Sequence, residues 1–117
     1  MLIIMAIAAN AQVKNTMKEA TKTLSCKLTT PELQKRKATI IAELKVIVIS
    51  REELSDGYRY AFKGTDGILD KLNEFIKTER MCCDFFTFRL TVEKEQALLD
   101  ITGPAGAKEF LKEDINL

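Results

Sequence analysis

Histidine is absent from this chain of 117 residues. Its absence excludes serine–histidine and cysteine–histidine nucleophile pairs, histidine-ligated zinc and histidine proton shuttles. The chain also lacks a surplus of either charge, because 18 basic and 17 acidic residues give a net charge of +1. No basic run is longer than the triplet Lys35–Lys37, so a phosphate-binding face and a nucleic-acid partner are not expected. Any catalysis must come from cysteine, carboxylate, lysine, arginine or tyrosine side chains.

No apolar run is long enough to cross a bilayer. The first, residues 1–11, ends in Ala9-Asn10-Ala11, which has the small-x-small form of a secretory cleavage site but no positively charged leader. We interpret residues 1–11 as a truncated signal peptide, which predicts a periplasmic or extracellular protein. If the run is instead a buried strand or helix, the protein is cytoplasmic. Residues 12–25 are predicted to be a polar linker, and residues 26–117 a single α+β domain.

Periodic apolar residues predict two long helices. Thr30 and Pro31 are typical of a helix start, and this first helix is expected to run to about Lys45. The triplet Lys35–Lys37 is expected to lie mostly on its outer side. Its apolar stripe contains Leu33, Ile40, Ile41 and Leu44.

A second helix is predicted after the capping segment Gly64-Thr65-Asp66. Its core positions are Ile68, Leu69, Leu72, Phe75 and Ile76. Residues three and four apart are neighbours on a helix, so the same register places Glu79, Cys82 and Cys83 on this face. The adjacent cysteines are therefore predicted at the end of a buried stripe.

Two hairpins are predicted around the second helix. The β-branched run Val46–Ile49 should leave the first helix for a strand that lasts to Leu54, followed by a tight turn and an alternating aromatic strand. Residues 86–92 and 97–102 form the second hairpin, and Pro104–Lys112 a last helix. The order α-β-β-α-β-β-α predicts an α+β two-layer sandwich, in which helices cover one face of a mainly antiparallel four-stranded sheet. The strand order is not predicted.

The candidate chemistry lies in three cysteines, Cys26, Cys82 and Cys83. Antiparallel packing of the two helices would bring the three sulfurs together, because Cys26 precedes the first helix and the pair ends the second. Three thiolates suit a soft cation. Glu79 could accept a hydrogen bond from a thiol, take up its proton or serve as a fourth ligand. These four residues are the predicted site for a soft metal or metalloid ion.

Other interpretations of the cysteines stay open. One of the pair could be the nucleophile of a thiol redox enzyme, with Cys26 as the resolving thiol and Arg80 favouring the thiolate. A disulfide from Cys26 to Cys82 or Cys83 would instead indicate a structural or interaction domain. Buried cysteines could also simply fill the core. The sequence predicts neither a substrate nor an oligomeric state.

Several segments resemble one group of proteins. They are Cys26-x-Leu28-Thr29, Glu79-Arg80-x-Cys82-Cys83 with the phenylalanines that follow it, and the segment from Thr102 to Leu111, Thr-Gly-Pro-x-Gly-x-Lys-Glu-Phe-Leu. These segments resemble small bacterial proteins of unassigned function, some of them linked to heavy-metal handling. The resemblance implies metal handling by the three cysteines, with Glu79 as a helper, and implies no reaction.

The chain departs from this group directly after the cysteine pair. Members of the group usually have proline there, whereas this chain has Asp84. Proline would fix the exit of the chain from the helix, but Asp84 adds a second carboxylate near the thiols. Such a carboxylate would either strengthen a cation site or raise a thiol pKa by like-charge repulsion.

Overall fold

The structure, a computed structural model, describes residues 30–117. The predictions for residues 1–11, for residues 12–25 and for Cys26 lie outside these residues. The elements are α1 (Pro31–Ile47), β1 (Ser50–Leu54), β2 (Gly57–Lys63), α2 (Asp66–Cys82), β3 (Thr87–Glu93), β4 (Gln96–Thr102) and α3 (Ala107–Phe110), which continues as a π-helix (Leu111–Ile115). This α-β-β-α-β-β-α order confirms the predicted α+β fold.

The four strands form one antiparallel sheet in the order β1-β2-β4-β3. The two hairpins therefore meet through β2 and β4 at the centre of the sheet. Alternate side chains of these central strands lie on one face and are buried with the apolar stripes of α1 and α2. The core-cluster side chains that the central strands contribute on this face are Tyr58, Tyr60, Phe62, Ala97, Leu99 and Ile101.

Gly57 allows the two central strands to approach each other. It begins β2 opposite Thr102, and a Cβ atom at Gly57 would lie 1.8 Å from the carbonyl oxygen of Ile101. A side chain there would force the backbones of β2 and β4 apart. Glycine is therefore required by this close approach.

The end of α1 differs from the prediction. The helix includes Val46 and Ile47, and β1 begins only at Ser50. Ile47 and Val48 pack against the core, and the Val48 N–H donates to the carbonyl oxygen of Leu44 over 2.9 Å. The predicted strand from Val46 was wrong, because burial of the helical stripe outweighs the strand preference of β-branched residues.

The last helix also starts later than predicted. Gly106 has a φ of 94°, a left-handed conformation that interrupts the predicted helix from Pro104, and α3 begins at Ala107. The chain then widens into the π-helix, where the Asn116 N–H donates to the carbonyl oxygen of Leu111 over 2.7 Å. Leu111 and Ile115 of this turn are fully buried, so it is packed onto the core.

The two long helices run antiparallel. Arg36 near the start of α1 pairs with Glu74, whereas Glu43 further along pairs with Lys71, which lies earlier in α2. The start of α1 therefore lies beside the end of α2, where the cysteine pair stands. Among residues 30–117, no helix combines the length and the apolarity that a bilayer span requires.

Candidate metal centre

The last residues of α2 direct their polar and sulfur-containing side chains into the core. Thr78, Glu79 and Cys82 are buried there, and the Glu79 and Cys82 side chains are completely shielded from solvent. Cys83 is the C-cap, with φ −120° and ψ 77°, so the chain leaves helical geometry between the two cysteines. This exit lets neighbouring side chains converge, and the Sγ atoms of Cys82 and Cys83 are 3.2 Å apart.

Three of the four predicted ligands come together. One oxygen of Glu79 and the Sγ atoms of Cys82 and Cys83 all lie within 4.8 Å of one another. Such an arrangement could hold a metal ion. Cys26, the fourth predicted ligand, lies outside the described residues.

The two neighbouring cysteines are in different chemical states. Cys82 is disulfide-bonded, whereas Cys83 is a buried free thiol. A sulfur in a disulfide is not a thiolate ligand, so Glu79, Cys82 and Cys83 can act together on a metal only after the disulfide is reduced. The sequence did not predict which cysteine of the pair would be oxidised.

Lys37 also belongs to the site, although the sequence predicted this residue on the outer side of α1. It is only 8% exposed, and its Nζ lies 3.4 Å from Glu79 Oε1 and donates to Cys82 Sγ over 3.8 Å. The outer placement was wrong. Four-residue spacing was the available signal, because Lys37 lies between Leu33 and Ile41 on the helical stripe.

Asp114 completes the cluster from the π-helix. Its Oδ2 accepts a hydrogen bond from Lys37 Nζ over 2.5 Å, and its side chain is 34% exposed. Asp114 thus stands at the rim of the site, with Lys37 between it and Glu79. Asp114 was not among the predicted site residues, because the last helix was predicted to end at Lys112.

Two charged residues next to the cysteines in sequence are exposed. Arg80 and Asp84 both lie on the surface, in contrast to the buried sulfurs. The Lys37 ammonium group, which comes from the other helix, lies 3.8 Å from Cys82 Sγ. Neighbourhood in sequence is therefore a poor guide to the charges that act on these sulfurs.

Burial is the largest cause of the raised pKa values of Glu79 and Cys83. Desolvation raises the pKa of Glu79 above 4.5, although the positive charge of Lys37 opposes the shift. Burial and the charge of Glu79 raise the pKa of Cys83 to about 12. Burial would lower the pKa of Lys37, but its hydrogen bond with Asp114 and the charges of Glu79 and Asp114 outweigh burial and raise it.

The carboxylate of Glu79 lacks normal hydrogen bonding. Within residues 30–117, neither of its oxygens makes a hydrogen bond of normal geometry, although the Lys37 ammonium and the Cys83 thiol lie beside it. Buried carboxylate oxygens nearly always accept hydrogen bonds, and two such oxygens without them lower the stability of the fold. Glu79 is therefore expected to have a further binding partner. A proton or a metal ion could be this partner.

Glu79 should make the stability of the protein depend on pH. Its folded-state pKa is raised above 4.5, so its contribution to the free energy of unfolding is fully present below pH 4.5 and is lost as pH rises through the folded pKa. The Glu79→Gln variant is neutral at every pH and should lose less stability between pH 4 and pH 8. Urea unfolding midpoints of the oxidised proteins across this range measure the difference.

The matched control for this prediction is Glu74→Gln. Glu74 lies on the half-exposed side of the same helix, where it pairs with Arg36 and Lys77. Its variant should follow the pH profile of the wild type. A Glu79→Gln profile that parallels the wild type would contradict the role assigned to the buried carboxyl group.

Comparison of the chain with models of protein families, with curated proteins and with solved structures finds no match.

Proposed function

We propose that the reduced protein binds one soft metal or metalloid ion through Cys82, Cys83 and Glu79, with Cys26 as a further thiolate ligand, in a detoxification or carrier role. The supporting observation is the meeting of two sulfurs and one carboxylate within 4.8 Å in a buried site. Thiolate ligands favour soft ions, whereas hard cations such as Mg²⁺ favour sites made of oxygen ligands.

The electrostatics of the donor groups also support a cation. The oxygens of Glu79 are buried without hydrogen bonds of normal geometry among the described residues, and Cys83 is held as a neutral thiol by burial. A bound cation stabilises the thiolate and carboxylate forms. It would therefore offset the cost of burying the Glu79 carboxylate and the Cys83 thiolate, and protons would be released as it binds. The site thus has donors whose charged forms are disfavoured by burial, and a bound cation would counteract that effect.

The reduced state is the form competent to bind. In the oxidised protein the sulfur of Cys82 is part of a disulfide. The described donors that remain for an ion are then Glu79 and the neutral thiol of Cys83. Two donors, one of them protonated, form a weak site for a soft ion. Reduction restores the second sulfur ligand.

Thiol–disulfide exchange is the second candidate function. Its supporting observation is the distance of 3.2 Å between the free Cys83 Sγ and the disulfide-bonded Cys82 Sγ. Exchange requires a thiolate, and the pKa of Cys83 is raised to about 12, so little thiolate forms near neutral pH. This pKa makes ion binding the better supported of the two functions.

Native mass spectrometry of the reduced, chelator-treated protein tests the proposal, with Cd²⁺ and arsenite as separate probes. We expect a gain of one ion per chain, with three thiols lost from titration if Cys26 is a ligand and two if it is not. The Cys82→Ser/Cys83→Ser variant should bind about a thousandfold more weakly, because thiolate ligands supply most of the affinity of such sites.

Met81→Ser is the matched control for the double variant. Met81 lies directly before the cysteine pair, but its side chain is exposed, so its substitution should leave uptake unchanged. Stoichiometric uptake by the double variant, or no uptake by the reduced wild type, would overturn the proposal.

A further inference from the structure

Lys37 holds a positive charge among the groups that would bind the ion. Its Nζ is 3.4 Å from Glu79 Oε1 and 3.8 Å from Cys82 Sγ, and both of these atoms belong to the candidate metal centre. It approaches from α1, so the ammonium group and the three donors come from different helices. A cation that bound the same donors would meet this ammonium group at close range.

A buried ammonium group has to be compensated. Lys37 is 8% exposed, and Glu79 and Asp114 both pair with it in a partly desolvated environment. Asp114 forms the closer contact, 2.5 Å, and stands at the rim of the site. The lysine therefore has one partner inside the site and another beside solvent.

We propose that the ammonium group of Lys37 is the resident cation of this site, and that a soft ion binds by displacing it from Glu79 and Cys82 while Asp114 retains it. This inference rests on the proposed ion-binding function. The long, flexible stem of lysine lets its charged end move outward while its methylene groups stay packed. Lys37 then acts as a built-in competitor, which sets the affinity of the site and disfavours weakly bound ions.

A supporting role for Lys37 would have the opposite effect. A lysine that only stabilised the thiolates would strengthen ion binding, so its loss would weaken the affinity. A competing lysine weakens ion binding, so its loss would strengthen the affinity. The sign of the change therefore separates the two roles.

Cadmium affinities of the reduced variants measure this sign. We expect Lys37→Met to bind Cd²⁺ about tenfold more tightly than the wild type, since close charge pairs in desolvated sites are coupled by at least this factor. Asp114→Asn should bind about threefold to tenfold more weakly, because the displaced ammonium loses its partner at the rim. In the Lys37→Met background the Asp114→Asn substitution should have little effect, since Asp114 acts through the lysine.

Lys71→Met is the matched control. Lys71 pairs with Glu43 between the same two helices, but its side chain is 44% exposed and lies away from the thiols. This variant should bind Cd²⁺ as the wild type does. If folded Lys37→Met binds Cd²⁺ no more tightly than the wild type, Lys37 is not a competitor.

A measurement on the wild type does not depend on whether the variants fold. Amine acetylation followed by peptide mass spectrometry compares the labelling rate of Lys37 Nζ in the reduced protein with and without Cd²⁺. Displacement toward Asp114 should accelerate labelling several-fold, while the exposed Lys71 is labelled at an unchanged rate. Unchanged or slower labelling of Lys37 on loading would overturn the inference. Failure of the wild type to take up Cd²⁺ would overturn the proposed function instead.

Discussion

The reduced protein is expected to bind Cd²⁺ about a thousandfold more tightly than the oxidised protein, because reduction converts Cys82 from a disulfide sulfur into a thiolate ligand. The binding free energy of thiolate sites comes mainly from the deprotonated sulfurs, so loss of sulfur ligands to a disulfide has a large effect. In the oxidised protein only Glu79 and a thiol with a pKa of about 12 remain. Equilibrium dialysis of both forms under anaerobic conditions, after removal of the reductant, measures the ratio.

Magnesium is the control ion for the redox comparison. Mg²⁺ prefers a complete set of oxygen ligands, so neither form should bind it tightly and reduction should not change its uptake. An affinity of the oxidised protein for Cd²⁺ within tenfold of the reduced value would contradict the ligand role of Cys82. A parallel increase for Mg²⁺ would indicate that reduction has a general effect on cation binding.

Loss of the disulfide is expected to lower the melting temperature of the oxidised protein by about 10 to 30 °C. Removal of a native disulfide from a small domain costs about 2–5 kcal/mol, and each kcal/mol lowers the melting temperature of a domain of this size by about 4–8 °C. The comparison is made between Cys83→Ser and Cys82→Ser/Cys83→Ser. In a single Cys82→Ser variant, Cys83 could take over the disulfide, since its sulfur lies only 3.2 Å from that of Cys82.

Cys83→Ser itself should melt within about 5 °C of the wild type, because serine is close to cysteine in size and its hydroxyl can donate to the unsatisfied carboxylate of Glu79. Calorimetry with and without dithiothreitol completes the experiment. The reductant should lower the melting temperature of Cys83→Ser and leave the double variant unchanged. Equal melting temperatures of the two oxidised variants would show that the disulfide does not stabilise the fold.

The sequence was sufficient to predict the order of the elements and the donor groups of Glu79, Cys82 and Cys83. The apolar residues of α2 repeat with helical period from a capped start, and continuing this period reaches Glu79, Cys82 and Cys83 without knowledge of the fold. The meeting of Cys83 with Cys82 needed more, because adjacent side chains converge only where the helix ends. That end is set by the packing of the following chain against the core.

The charges of the site could not be predicted in the same way. Lys37 belongs to a basic triplet that is typical of a solvated face, and a lysine on a buried stripe is stable only with partners. Its partners, Glu79 and Asp114, are distant in sequence and meet it only in the folded protein. Asp114 moreover depends on a π-helix, for which hydrophobic periodicity gives no signal.

The meeting of the two hairpins through β2 and β4 has a consequence for the order of folding. Pairing these strands closes a segment, residues 64–95, that contains all of α2 and β3, so the centre of the sheet forms through non-local contacts. Until then, the packing that encloses Cys82 and Cys83 in the core is incomplete. Oxidation before this closure would act on two nearly equivalent thiols, one residue apart in an open chain. We therefore expect selective oxidation of Cys82 to require the assembled sheet and helices, since the spacing of the two cysteines along the chain does not distinguish them.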